Sequence, residues 1–408
     1  MKYVLALILA GTLPLGVRAL TIDLVTVGNP GNPAEINGGV FGGVSSTYRM
    51  GKTEVTNAQY VDFLNAKAAT DPYSLFNTQM GSFSQGGITR SGVSGSYTYA
   101  VKADATNVEP DFGTYSYGNK PVVYVSWFDA IRFANWMHNG QGSGDTETGA
   151  YTIVGGATPT NSDSIVRNAG AKWYLPTENQ WYKAAYYSGS GSVYFDYPTS
   201  SDSLPTNVLP AVETGNSANY VDGAIFTTGN SSYPMTPVGA YTQSDSAYGT
   251  LDQGGNAAEW TETLSSSGHR VRRGGSWNQS ASLMSSVSRE TPFDNLEFSM
   301  TGFRLAAISL STVPGDYNGN GIVDGADYVV WREHVGTTYQ LQNEVLNTSA
   351  GVVDQDDYTA WRARFGNTSG AGAGSELMGV TVPEPGAAVL ALVGLVMAGV
   401  GARRERRG

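Results

Sequence analysis

The chain is 408 residues long, enough for one large domain with smaller attachments. It carries a formal net charge of −11 and no cysteine, which argues against nucleic acid as a partner and excludes a disulfide-stapled scaffold. Charged residues make up only 14%, against 52 Gly and 24 Tyr, a balance that suits a loop-rich exported protein better than a helical cytosolic one.

In chain order, Lys2 and an apolar run over residues 3–15 precede Ala19, the pattern of a secretory signal peptide over residues 1–19. The run is too short for a comfortable bilayer span. A Gly/Asn/Pro-rich entry over 28–43 follows, then alternation over 50–55 that predicts a short strand. Thr56 with Gln59 forms a capping box ahead of Tyr60, Phe63 and Leu64, and so predicts a helix. The same grammar recurs at Ser126 with Asp129, before Ile131, Phe133 and Trp136. It recurs again at Thr177 with Gln180, before Trp181, Ala184 and Ala185. Three short helices among long Gly/Asn/Ser loops predict an α+β domain over residues 20–310 with little regular secondary structure.

Four stretches carry a family resemblance. They are residues 51–60, residues 121–127, residues 173–181, and a set of late blocks. The late blocks are Gly-Gly-Asn-Ala-Ala-Glu-Trp at 254–260, Arg-Arg-Gly-Gly-Ser-Trp at 272–277 and Thr-Gly-Phe-Arg-Leu at 301–305. In this order they resemble the formylglycine-generating enzyme (sulfatase-modifying factor) family. The resemblance implies an irregular C-type-lectin-like α+β fold, bound calcium, and copper-dependent oxidation of a substrate cysteine by two catalytic cysteines. Counted from the Gly-Gly-Ser block, those two positions hold Gln279 and Met284. Cu(I) prefers soft thiolates, and an amide with one thioether is a far weaker pair. The family's copper chemistry therefore has no thiolate to run on in this chain.

The resemblance also implies calcium ligands. Asp252 and Glu259 would give side-chain oxygens, and Gly255 and Ala257 backbone carbonyls. A second site would use Asn219, the carbonyl of Tyr220, and Asn230. Hard oxygen donors of this kind are what Ca²⁺ requires. His138, His269 and His334 lie in no ligand-like spacing and read as structural or solvated. Arg304 reads as an ion-pair partner in the core, with Arg272 and Arg273 open to a substrate-carboxylate role. Trp260 and Trp277 read as core, with ligand stacking as the alternative.

Residues 314–366 form a separate module. Asp316, Asn318, Asn320, Asp324 and Asp327 place oxygen side chains at positions one, three, five, nine and twelve of a calcium loop. Gly321 supplies the sharp turn, and Ile322 falls at the backbone-carbonyl position. Thirty residues on, Asp354 and Asp357 repeat the second half, while Leu346, Thr348 and Ala350 occupy the first three ligand positions. The pair resembles a type I dockerin, an EF-hand-like helical module. It implies one firm calcium, a second site in doubt, and a cohesin-like partner, with a structural spacer as the rival reading. A Gly/Ser/Ala-rich linker over 367–381 leads to residues 382–408. There Val-Pro-Glu-Pro, an apolar stretch and a basic tail resemble a PEP-CTERM sorting signal. That implies export, transient anchoring by a transmembrane segment in the cell envelope, and a sorting peptidase as partner.

Two function classes follow. One is a calcium-stabilised, non-catalytic binding or structural module at the cell surface, with a polysaccharide or protein ligand. The other is an oxidoreductase of the same family using a different metal or cofactor.

Overall fold

Each of the three helices expected between residues 56 and 186 forms behind its capping box. The computed structural model describes residues 20–37, 39–106, 114–308, 313–318, 321–339, 341, 343–344 and 352–368. The expected signal peptide, the sorting and transmembrane segment, and all but the first two linker residues lie outside them. So do Asn320, Leu346, Thr348 and Ala350. Among the described residues no helix is long and apolar enough to cross a membrane. The chain divides into two compact units, Met1–Ser309 and Leu310–Gly408.

In the first unit, α1 spans Asn57–Lys67, α2 Trp127–His138 and α3 Glu178–Tyr186. At α1 the Gln59 amide N–H donates to Thr56 Oγ1 (3.2 Å), and Thr56 N–H donates back to Gln59 Oε1 (2.9 Å). Ser126 with Asp129 and Thr177 with Gln180 do the same for α2 and α3. Two orphan donors are thereby satisfied at each helix start. Tyr60, Phe63 and Leu64 are buried as their spacing predicts. Phe63 meets Phe133 and Trp136 at ring distances of 5.3 Å. In α2 every residue but His138 is buried, so this helix runs through the core rather than along its edge.

Seven short strands position the site: β1 (Leu24–Val27), β2 (Tyr48–Gly51), β3 (Trp173–Tyr174), β4 (Ala258–Leu264), β5 (Arg270–Arg273), β6 (Thr301–Gly302) and β7 (Ala306–Ile308). One antiparallel sheet runs β1-β2-β7-β3, with Met50 opposite both Val25 and Ala306. The other runs β5-β4-β6 and sets Glu259 opposite Arg273 on one side and Gly302 on the other. The strand expected over 50–55 ends at Gly51. The carbonyls of Gly51 and Lys52 are taken by the Arg304 guanidinium, and the chain leaves the ladder there.

The second unit contains α4 (Gly325–His334) and α5 (Gln355–Arg362). Asp324 and Asp354 cap them with matching backbone angles (φ −137° at both), each boxed by the Asp three residues on. Trp331 Nε1 donates to the Asp354 carbonyl (2.7 Å), and Trp361 Nε1 donates to the Asp324 carbonyl (2.9 Å). Gly336 N–H reaches Val353 O and Gly366 N–H reaches Val323 O, both at 2.8 Å. The thirty-residue repeat is therefore a reciprocal structural exchange around Val323, Val353 and Trp361.

Candidate functional site

The Arg-Leu pair after Gly302-Phe303 carries the chain from β6 toward β7, and it buries Arg304 completely. Its guanidinium is bidentate to Glu259: Nε donates to Oε2 (2.6 Å) and Nη2 to Oε1 (2.7 Å). The remaining N–H groups go to the carbonyls of Gly51 (3.0 Å), Lys52 (3.1 Å) and Leu251 (2.8 Å). Trp181 Nε1 adds a third bond to Glu259, at 2.7 Å. Burial would lower the Arg304 pKa, but the Glu259 charge and hydrogen bonds more than reverse it, so the guanidinium holds its charge. The expectation that Arg304 is a core ion-pair partner agrees with this geometry.

Around that pair sit two more buried carboxyls. Glu54 is 2% exposed; its Oε1 accepts from Asn256 Nδ2 (3.2 Å), and its Oε2 is buried with no hydrogen-bond partner. Asp252 accepts the Gly239 amide. Burial, then the Asp252 charge, push the Glu54 carboxyl well above the usual range. Burial raises Asp252 to about 6, against the Gly239 bond and the Arg304 charge. Three buried carboxyls thus face one guanidinium, a surplus of acceptor oxygens.

Of the residues expected to hold calcium, Asn219 of the second set lies against Gly255 of the first. Asn219 pairs as a parallel bridge with Gly255, and its carbonyl accepts Asn256 N–H (2.8 Å). A Cβ on Gly255 would collide with that carbonyl, and φ is +80°, so only glycine fits. Asn219 Nδ2 donates to Pro234 O (2.9 Å) and Asn256 Oδ1 (3.0 Å), while Asn219 Oδ1 is buried without a partner. The Tyr220 carbonyl accepts from Thr227 Oγ1 (3.0 Å), and Asn230 Oδ1 accepts Ser232 N–H (2.8 Å). Ala257 is buried one residue before β4. Glu54, Asn256 and Trp181 belong to this cluster and were not singled out for it from sequence.

Gln279 and Met284 are not placed as a ligand pair open to solvent. Gln279 is half-buried; its Oε1 accepts from Ser276 Oγ (2.9 Å) and its Nε2 donates to Glu290 (3.0 Å). Met284 is fully buried, packed with Ala218, Tyr220 and Ala281. Arg272 is paired with Glu290 (3.0 Å) and Arg273 with Glu178 (2.7 Å), so neither offers a free cation for a substrate carboxylate. Trp260 and Trp277 are core residues, bonded through Nε1 to the carbonyls of Val125 and Ser299 (both 3.1 Å). His138 accepts Lys172 N–H, His269 packs on Phe293, and His334 stacks on Tyr339.

In the second unit, Asp316 and Asp327 are fully buried. Asp316 Oδ2 accepts Gly321 N–H (2.8 Å); Asp327 accepts Asn318 N–H (2.9 Å) and Asp324 N–H (2.8 Å). Ile322 bridges to Thr368. Burial raises Asp327 to about 6, opposed by those N–H bonds and reinforced by the Asp316 and Asp324 charges. Among the described residues, no three His, Cys, Asp or Glu side chains close into a metal-holding group. Calcium shells also draw on carbonyl, amide and water oxygens.

Solved structures similar to this chain include CarF, 22% identical over 71% of this chain and 99% of that one (TM-score 0.44). Treponema denticola variable protein 1 is 21% identical over 72% and 99% (TM-score 0.44). PvdO from Pseudomonas aeruginosa is 15% identical over 71% and 93% (TM-score 0.36). Comparison with curated proteins gives no match. The PEP-CTERM protein-sorting motif matches residues 381–407, which suggests export and C-terminal anchoring by sorting. The sulfatase-modifying factor enzyme 1-like domain matches residues 43–308, well over half of the sequence, and the chain belongs to that family.

Proposed function

We propose that this is an exported cell-surface protein whose sulfatase-modifying-factor-like domain is a non-catalytic binding or structural module. The observation that carries the reading is the replacement of both family cysteines, by a hydrogen-bonded Gln279 and an enclosed Met284, in a chain without any cysteine. Calcium is its stabilising ion. The unpartnered oxygens of Asn219 and Glu54, and the carboxyl surplus around Arg304, support a hard cation at the Asp252–Glu259 loop. In the second unit the mutually repelling Asp316, Asp324 and Asp327 support another. That unit serves as a dockerin-like docking module for a cohesin-like partner, and the first domain takes a polysaccharide or protein ligand.

Metal analysis of the purified exported chain tests this, together with oxygen uptake in the presence of a cysteine-containing peptide. Calcium without stoichiometric copper or iron is expected, with no oxygen uptake. Chelator should lower Tm by about 5–10 °C, the effect of losing a ligand held near 100 times its Kd. Stoichiometric copper or iron, lost together with oxygen uptake, would establish the oxidoreductase instead. A Tm indifferent to chelator would remove calcium from the proposal.

A further inference from the structure

Two side chains bonded to one buried asparagine each carry an oxygen that no donor reaches. Asn256 is 1% exposed and sits in the left-handed region, with φ +54°. Its Oδ1 accepts Asn219 Nδ2 (3.0 Å) and Thr236 N–H (3.1 Å), so its Nδ2 is the end that donates to Glu54 Oε1 (3.2 Å). Asn219 Nδ2 also donates to Pro234 O (2.9 Å). Both partners of that nitrogen are acceptors, which fixes the Asn219 amide and leaves its buried Oδ1 as one orphan. Glu54 Oε2 is the other. The Asn256 amide thus holds Glu54 at one end and Asn219 at the other.

No side-chain cation neutralises Glu54. The Arg304 guanidinium has five N–H groups and all are spent: two on Glu259, and three on the carbonyls of Gly51, Lys52 and Leu251. Among the described residues, Glu54 enters no ion pair. A buried carboxylate met by a long bond from a neutral amide is costly, and a hard cation removes that cost. Glu259 stands differently. It already carries Arg304 on both oxygens and Trp181 on one. A divalent ion on that carboxylate would face the guanidinium across it, and like charges repel.

Given calcium at the 252–259 loop, as proposed above, we propose that Glu54 is the carboxylate ligand of that ion, through Oε2, together with Asn219 Oδ1. Glu54 supplies the charge that Glu259 has spent on Arg304. Carbonyl and water oxygens complete the shell. The ion then clamps the chain leaving β2 against Asn219, in a domain that has no cysteine to cross-link it.

Titration calorimetry with calcium alone, on the EDTA-stripped exported chain, tests this. Parent and variants all carry D316N, which disables the calcium loop of the second unit. The parent should take up one calcium, and E54Q in the same background should bind it about 100-fold more weakly. Gln keeps the size and the acceptor for Asn256, so the loss reports the missing carboxylate. In chelator, E54Q should match or exceed the parent in Tm, because the amide removes a buried charge without a partner. Unchanged calcium affinity in E54Q would overturn the role of Glu54 and leave calcium in the first unit standing. A parent that takes up no calcium would remove the ion itself, and its ligands with it. If E54Q does not fold, E54D decides, since it keeps the charge and draws the oxygen back by one methylene. Weakened binding there supports the proposal, and unchanged binding overturns it.

Discussion

The two units solve the same problem, anchoring long irregular chain, by opposite means. In the first, buried guanidiniums reach across great sequence distances. Arg304 binds Gly51 from 253 residues away, Arg270 binds Ile165 from 105, and Arg273 binds Glu178 from 95. In the second, each Asp cap is tied to an Asp three residues on, and the two halves exchange tryptophan bonds over 23 and 37 residues. A few long-range charges can specify a fold, but each becomes a single point of failure. A repeated local device spreads the load.

Arg304→Met tests that contrast at its most severe. It leaves Glu259 buried without its cation and strips three carbonyls of a donor, so a loss of about 3–5 kcal/mol is expected in urea unfolding. A loss below about 1 kcal/mol would show that the first unit does not depend on this guanidinium. Trp361→Phe in the second unit removes one member of the reciprocal pair. It should cost about 1–2 kcal/mol and, if the halves are equivalent, match Trp331→Phe. Thr56→Ala, which removes one cap of a helix otherwise fixed by packing, should cost about 1 kcal/mol. Met284→Leu is a volume-conserving change in a closed site and should cost less than about 1.5 kcal/mol, read as a small shift in urea midpoint. A large change in metal content on Met284→Leu would contradict a purely packing role for that thioether.

Sequence reasoning worked where the physics is local. The boxes at Thr56, Ser126 and Thr177 are complete within four residues, and all three formed. The spacing of Asp324 with Asp327, and of Asp354 with Asp357, likewise carries its own geometry. The union of Asn219 with Gly255 and Asn256 was not legible, because nothing in either stretch names the other as its partner. Glu54 was hidden for the same reason: its role depends on Asp252 and Arg304, about 200 residues or more downstream.

One detail of the first sheet bears on how the protein is made. Its closing strand, Ala306–Ile308, inserts between Tyr48–Gly51 and Trp173–Tyr174 rather than adding at an edge. A ribosome must therefore deliver some 300 residues before Trp173–Tyr174 gains its partner in this sheet and before Tyr48–Gly51, already paired with Leu24–Val27, is covered on its other side. Arg304, which seals the centre, arrives at the same late moment. A nascent chain of this design stays open and threadable through most of its synthesis, a favourable condition for a polypeptide carrying an export-sorting motif.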